Sequence, residues 1–122
     1  MMLDFQAAEA AVVPHFKGGE GQAVVRKAVE DGMGKILTLE LPAGSSIGLH
    51  THVGNCEVIH VLAGRGVCHD DGAEVALEAG MTHYCPEGHT HGIDNTGDGP
   101  LVLLGIPHRL RAPFPAERHP RS

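Results

Sequence analysis

The chain has 122 residues and a net charge of −6 with its ten histidines neutral. That length suits one domain with one core, and an acidic chain without a Lys/Arg block argues against nucleic acid or an anionic membrane as partner. Aromatic residues make up only 3%, with no Trp, too few for a platform that stacks bases or long sugar chains. The apolar runs are too short to span a bilayer. The N-terminus "MMLDFQAAEAAVVP" lacks the basic start of a signal peptide. Three cysteines, an odd number, do not form a disulfide framework, and a reducing cytoplasm is the expected location.

Residues 1–15 read as a short helix or an arm, and "HFKGGEG" (15–21) reads as a loop. "QAVVRKAV" (22–29) and "KILTLEL" (35–41) read as strands joined by a hairpin turn at "EDGMG" (30–34). In the second strand Ile36, Thr38 and Glu40 alternate with Leu37, Leu39 and Leu41, the period of a half-buried strand. After a turn at 42–45, strands are expected at "IGLHTH" (47–52), "EVIHVLA" (57–63) and "GVCH" (66–69). An Asp70-Asp71-Gly72 turn leads to "AEVALE" (73–78), then "THYC" (82–85), a loop "PEGH" (86–89), and "THGIDN" (90–95). "LVLLGI" (101–106), the most apolar strand, is expected to be covered on both faces. About ten short strands separated by Gly-rich turns predict an all-β domain, a closed barrel or jelly roll whose inward side chains come from alternate positions. The organisation read from the chain is an N-terminal arm over 1–21, a barrel over 22–107 and a Pro/Arg-rich tail over 108–122.

Two histidines, His50 and His52, stand two residues apart and so share one face of a strand. Glu57 follows the turn residues "VGNC" and can return toward the same point on the next strand. A third imidazole is offered by "PEGHTH", at His91 or His89. Three imidazoles and a carboxylate form a mixed N/O set that suits Fe(II), Mn(II), Ni(II), Co(II), Cu(II) or Zn(II). Two histidines alone would more often be surface or satisfied core groups; the added carboxylate and the second His-bearing loop strengthen the metal reading.

The spacing also resembles the cupin superfamily. Gly44, His50, His52, Glu57 and Gly64 fit its first motif, and Gly80, Pro86, Gly88, His91 and Asn95 fit its second. The resemblance implies a cupin double-stranded β-helix with one divalent transition-metal ion per chain held by His50, His52, Glu57 and His91. It further implies that Asn95 is structural and that the motif glycines sit in turns.

Other polar residues carry weaker signals. His60, three residues after Glu57, falls on the opposite face by strict alternation. Either Tyr84 or the pair His83 and Cys85 faces inward. An inward Tyr84 would be a candidate catalytic acid/base, with packing at the rim as the alternative. Cys56 and Cys85 lie close to the motifs, where a thiolate would favour Zn or Cu(I); buried inert thiols are the simpler reading, and Cys68 carries no signal. Arg109 and Arg111 could meet a carboxylate substrate, with solvated charge as the default.

The function expected is that of a metal-dependent enzyme acting on a small polar molecule, of oxygenase, isomerase, lyase or decarboxylase class. A non-catalytic metal-dependent binding or sensing module is the alternative, and a metal-free structural relative is disfavoured. Few aromatics favour a small acid, ketone or sugar derivative over a large planar ligand. A homodimer is expected, because the apolar "AAVV" at 10–13 has no obvious place within the barrel and sheet edges need cover.

Overall fold

The computed structural model describes residues 1–110; of the tail read at 108–122, residues 111–122 lie outside the described residues. Ten strands carry the fold: β1 (Ala10–Pro14), β2 (Gln22–Asp31), β3 (Gly34–Leu41), β4 (Ser46–Thr51), β5 (Asn55–Ala63), β6 (Arg65–Asp70), β7 (Ala73–Glu78), β8 (Thr82–Cys85), β9 (Thr90–Asn95) and β10 (Leu101–Arg109). They form a six-stranded sheet, β1-β2-β3-β10-β5-β8, and a four-stranded sheet, β4-β9-β6-β7. Every pairing is antiparallel. This is the jelly roll that the strand pattern predicts and the double-stranded β-helix that the cupin resemblance implies. Among the described residues no helix is long and apolar enough to cross a membrane.

Alternation decides what fills the barrel. Leu37, Leu39 and Leu41 of β3 are buried, while Ile36, Thr38 and Glu40 face outward. The inner positions Ile59, Val61, Leu77, Ile93, Leu101 and Leu103 join them in one cluster with Cys68. Each such side chain contributes about 1.5–3 kcal/mol through burial. The turn between β6 and β7 uses Asp71 and Gly72 with φ of 50° and 94°, the left-handed pair that a two-residue hairpin needs. Gly44, Gly64, Gly80 and Gly88 all take positive φ, as turn glycines do.

Two expectations change. The segment read as helix or arm holds a short 3-10 turn, Phe5–Ala7, and then β1, which pairs Ala10–Pro14 with Gln22–Arg26. The sequence hides β1 because its run is short and ends in Pro14, a residue without an N–H that is tolerated only at a sheet edge. In β10 only Leu101, Leu103 and Gly105 are buried; Val102, Leu104 and Ile106 are half-buried on the outer face, so the strand is not covered on both sides within one chain.

Asn95, at the end of β9, ties the two sheets together. Its Nδ2 donates to the Leu41 carbonyl at 2.8 Å and the Gly99 carbonyl at 2.9 Å, and its Oδ1 accepts from the Gly97 N–H at 2.9 Å. Truncation would leave a buried carbonyl without its donor. Asn95→Ala is expected to lower unfolding stability by about 2–3 kcal/mol, measured by urea denaturation; a loss below the error of the fit would reduce Asn95 to a turn residue.

Candidate functional site

Four side chains converge at the open end of the barrel. β4 supplies His50, and His52 follows directly after it; β5 supplies Glu57 and β9 supplies His91, which sits opposite His50 in the ladder. The loop 86–89 is docked on this corner by Gly88 N–H to the His52 carbonyl (2.7 Å) and His52 N–H to the His89 carbonyl (3.1 Å). The donor atoms of His50, His52, Glu57 and His91 all lie within 4.8 Å of one another. His52 Nε2 is 2.9 Å from His91 Nε2, which is 3.1 Å from His50 Nε2. Glu57 Oε1 is 3.2 Å from Nε2 of both His52 and His91.

Such distances cannot all be hydrogen bonds. His50 Nδ1 lies 2.7 Å from the Gly48 carbonyl and His52 Nδ1 lies 2.9 Å from Asn55 Oδ1. Each carbonyl accepts only, so each of these Nδ1 atoms carries its ring's proton and the Nε2 lone pair faces inward. The lone pairs, together with a carboxylate oxygen, converge on one buried point. A cation resolves their mutual repulsion, and the donor set fits one. The donor separations of 2.9–3.2 Å are short enough for His50, His52, Glu57 and His91 to share one divalent ion, which would act there as a Lewis acid.

Electrostatics point the same way. Burial pushes the Glu57 carboxyl up, but the His52 and His91 rings beside it outweigh that and bring the pKa down to about 2, so the group is an anion throughout the physiological range. The Glu57 carboxylate beside it raises His52 above the ordinary imidazole range, so at that ring protons compete with a cation for Nε2. Burial lowers His50 below it, which keeps that ring neutral and ready to donate its lone pair.

Tyr84, the expected acid/base candidate, is not brought to this site. It pairs with Val58 across β5 and β8 and stands 55% exposed on the outer face. The register turns His83 and Cys85 inward instead, and both are buried. His83 Nε2 lies 3.0 Å from His91 Nδ1, a contact that the sequence does not announce. His60 is on the outer face as expected, its Nδ1 2.7 Å from Thr82 Oγ1. His89 is directed at Asp71, 3.4 Å away. The three cysteines are free and buried. Burial pushes the Cys68 thiol up to about 12 and the Cys85 thiol up to about 11, so both keep their protons at neutral pH.

A cavity of about 240 Å³ opens over the cluster. Its apolar lining comes from Leu37, Leu39, Ile47, Ile59 and Ile93, and three cations, Lys17, Lys35 and Arg109, also line it. The space exists partly because β10 presents Gly105 beneath Glu57: a Cβ there would stand 3.3 Å from both Glu57 Oε2 and Leu37 Cδ1. Lys17 arrives from the loop before β2. That loop lies backbone to backbone on β4, where a Cβ on Gly19 would collide with the Ser46 carbonyl and one on Gly48 with the Lys17 carbonyl. His15 and Lys17 adopt left-handed φ of 51° and 54°, a conformation that costs a non-glycine residue on the order of 1 kcal/mol. The loop is thus held against its local preference at the cavity mouth. Arg111 falls outside the described residues.

Similarity to known proteins bears on the family and the fold. The sequence matches the cupin domain over residues 37–107. An oxalate-binding protein of Thermotoga maritima is 33% identical over 99 residues, which cover 77% of this chain and 82% of that protein. A solved structure from Thermotoga maritima, described as a predicted oxalate decarboxylase, superposes with a TM-score of 0.86 at 30% identity and covers 90% of this chain and 100% of that one. An RmlC-like cupin from Shewanella frigidimarina superposes with a TM-score of 0.71 at 17% identity over 94% and 96% of the two chains; that likeness concerns the fold alone. The chain belongs to the cupin family.

Proposed function

We propose that the protein holds one divalent transition-metal ion per chain on His50, His52, Glu57 and His91, and uses it to capture a small carboxylate dianion of the oxalate kind. The carrying observation is an electron-rich donor set at the floor of a small cavity that is also lined by Lys17, Lys35 and Arg109. These are three of the chain's nine Lys and Arg residues, gathered at one mouth of an acidic protein. The relative named for oxalate binding supports the ligand class. The cavity lies at or below the low end of small-molecule sites, roughly 300–1,000 Å³, which favours a ligand of few atoms. When bound, the ion would supply Lewis acidity toward the carboxylate oxygens. Fe, Mn, Ni, Co, Cu and Zn all suit the donors, and availability decides among them.

Capture without turnover is the favoured reading, because Glu57 is the only carboxylate lining the cavity among the described residues and it is committed to the metal set. The enzymatic reading, with decarboxylation as its nearest form, keeps Lys17 and Lys35 as proton donors. Isothermal titration of oxalate into metal-loaded protein, followed by assay for formate and carbon dioxide, separates the two: saturable binding with no product supports capture, and product formation supports the enzyme.

His50→Ala and His52→Ala are each expected to lose most bound metal while the barrel stays folded, as read by elemental analysis and circular dichroism. Full occupancy in both variants would sink the ligand assignment. Acidification should also release the ion, because protons compete for the three imidazoles.

Lys17→Ala and Arg109→Ala should each weaken oxalate binding about tenfold at low salt with metal content unchanged. The loss should shrink as salt is added, and acetate, with one charge, should respond less. Equal affinities in both variants and wild type would remove the rim from the site.

The outer face of the six-stranded sheet suits association of two copies. Leu62 and Tyr84 stand about half exposed there beside the half-buried Val102, Leu104 and Ile106 of β10, and a partner would complete their burial. Tyr84→Glu is expected to shift a dimer toward monomer in sedimentation at micromolar concentration; a wild-type monomer under those conditions would refute the assembly. Three free, buried thiols fit a reducing cytoplasm.

A further inference from the structure

His91 is the one member of the cluster whose ring is held from behind by another imidazole. His50 and His52 each donate Nδ1–H to a carbonyl oxygen that can only accept, at Gly48 and Asn55. A carbonyl partner of that kind fixes the tautomer of a metal-binding histidine. The Nδ1 of His91 meets Nε2 of His83 instead, at 3.0 Å, and an imidazole nitrogen can either donate or accept. His91 is also the most buried of the four, 1% exposed, so water cannot take the place of that contact.

We infer that His83 is a positioning residue for the metal set: it accepts Nδ1–H from His91 and so points the His91 Nε2 lone pair at the centre shared with His50, His52 and Glu57. The inference rests on the metal reading proposed above. It requires His83 itself to carry its proton on Nδ1, on the side away from His91. The fold supplies the means. β8 pairs His83 with Ile59, so the ring projects inward beside the strand that bears Glu57. The two rings lie with centroids 5.2 Å apart and planes 33° from one another, and His83 also lines a separate cleft with Asp70 and Thr82.

A competing use of the same atoms is a second metal on His83, Cys85 and His91, whose donor atoms also lie within 4.8 Å of one another. The geometry favours positioning. The Cys85 sulfur lies 3.8 Å and 3.6 Å from the carbonyl oxygens of Pro86 and His89, where a thiol donates and a thiolate would be repelled. A second ion would also require both nitrogens of His91 to bind metal at once.

The test compares wild type, His83→Leu, His83→Asn and His83→Gln, with zinc affinity read by competition against a chromophoric chelator and metal-free unfolding as the control for folding. Glutamine offers an amide oxygen near the position of His83 Nε2; leucine has no acceptor, and asparagine is one carbon short. Leucine and asparagine should weaken zinc binding about 10–100-fold, with glutamine restoring most of the affinity. Long-range proton–nitrogen correlation on zinc-loaded wild type should show the His91 proton on Nδ1. If leucine fails to fold, the asparagine–glutamine contrast and the wild-type spectrum still decide. Wild-type affinity in the folded leucine or asparagine variant, glutamine as weak as leucine, or an unprotonated His91 Nδ1 each overturns the positioning role alone. Two zinc ions per chain, one lost in Cys85→Ser, would replace it with the second site. A wild type that binds no zinc would overturn the underlying metal reading as well.

Discussion

Three inward imidazole nitrogens and one carboxylate oxygen, crowded at one end of an otherwise apolar barrel, are the constraint around which this molecule is arranged. Left alone, such a cluster repels itself and pays for its own desolvation. Backbone order holds it together. His50 and His91 face each other in a ladder, Glu57 arrives one turn after His52, and the loop that carries His89 is pinned to His52 through main-chain bonds. The rings are then aimed by what stands behind them, carbonyl groups for His50 and His52 and the His83 ring for His91. The apolar end of the barrel, with Leu41, Val61, Leu101 and Leu103 almost fully buried, supplies the stability that offsets this polar end.

The cluster was legible in the sequence because strand periodicity converts spacing into direction. Two histidines at i and i+2 must share a face, and a residue three positions after Glu57 must not. His60 obeys that rule on β5. Tyr84 could not be placed in the same way, because β8 has only four residues and its direction depends on how it pairs with β5. Once Val58 stands opposite Tyr84, the phenol faces outward and His83 and Cys85 face in. Local pattern fixes alternation, whereas the choice of face is tertiary.

The parts the sequence did not disclose share a physical cause. Lys17 reaches the cavity only because Gly19 and Gly48 allow two backbones to touch, a contact between residues far apart in the chain and invisible to periodicity. Strand β1 was hidden for a related reason, since an edge strand has little apolar pattern of its own and gains its identity from the strand beside it. Arg109 was noticed as a charge that could meet a carboxylate. Its position could not be read, because β10 continues past Pro107 to Arg109, beyond the run whose hydrophobicity marks it as a strand.

The charge distribution appears at first to oppose an anionic ligand, since the chain carries a net charge of −6. Distance decides the matter. At physiological ionic strength charges separated by more than about 8 Å are largely screened, so the charges that count are those at the cavity: Lys17, Lys35 and Arg109 against Glu57, with Glu30, opposite Lys35 in the β2–β3 ladder and within electrostatic reach of Arg109, offsetting part of the rim. Glu57 would be neutralised by a bound divalent ion, which leaves one further positive charge from the metal beside three from the side chains. The local field at the mouth is then strongly positive, inside a partly apolar wall where Coulomb interactions are several times stronger than in bulk water. A neutral ketone or sugar would gain little from that field, and a monoanion would use only part of it. A compact dianion, the ligand class proposed above, would match that charge, with two carboxylates to share between the ion and the rim cations.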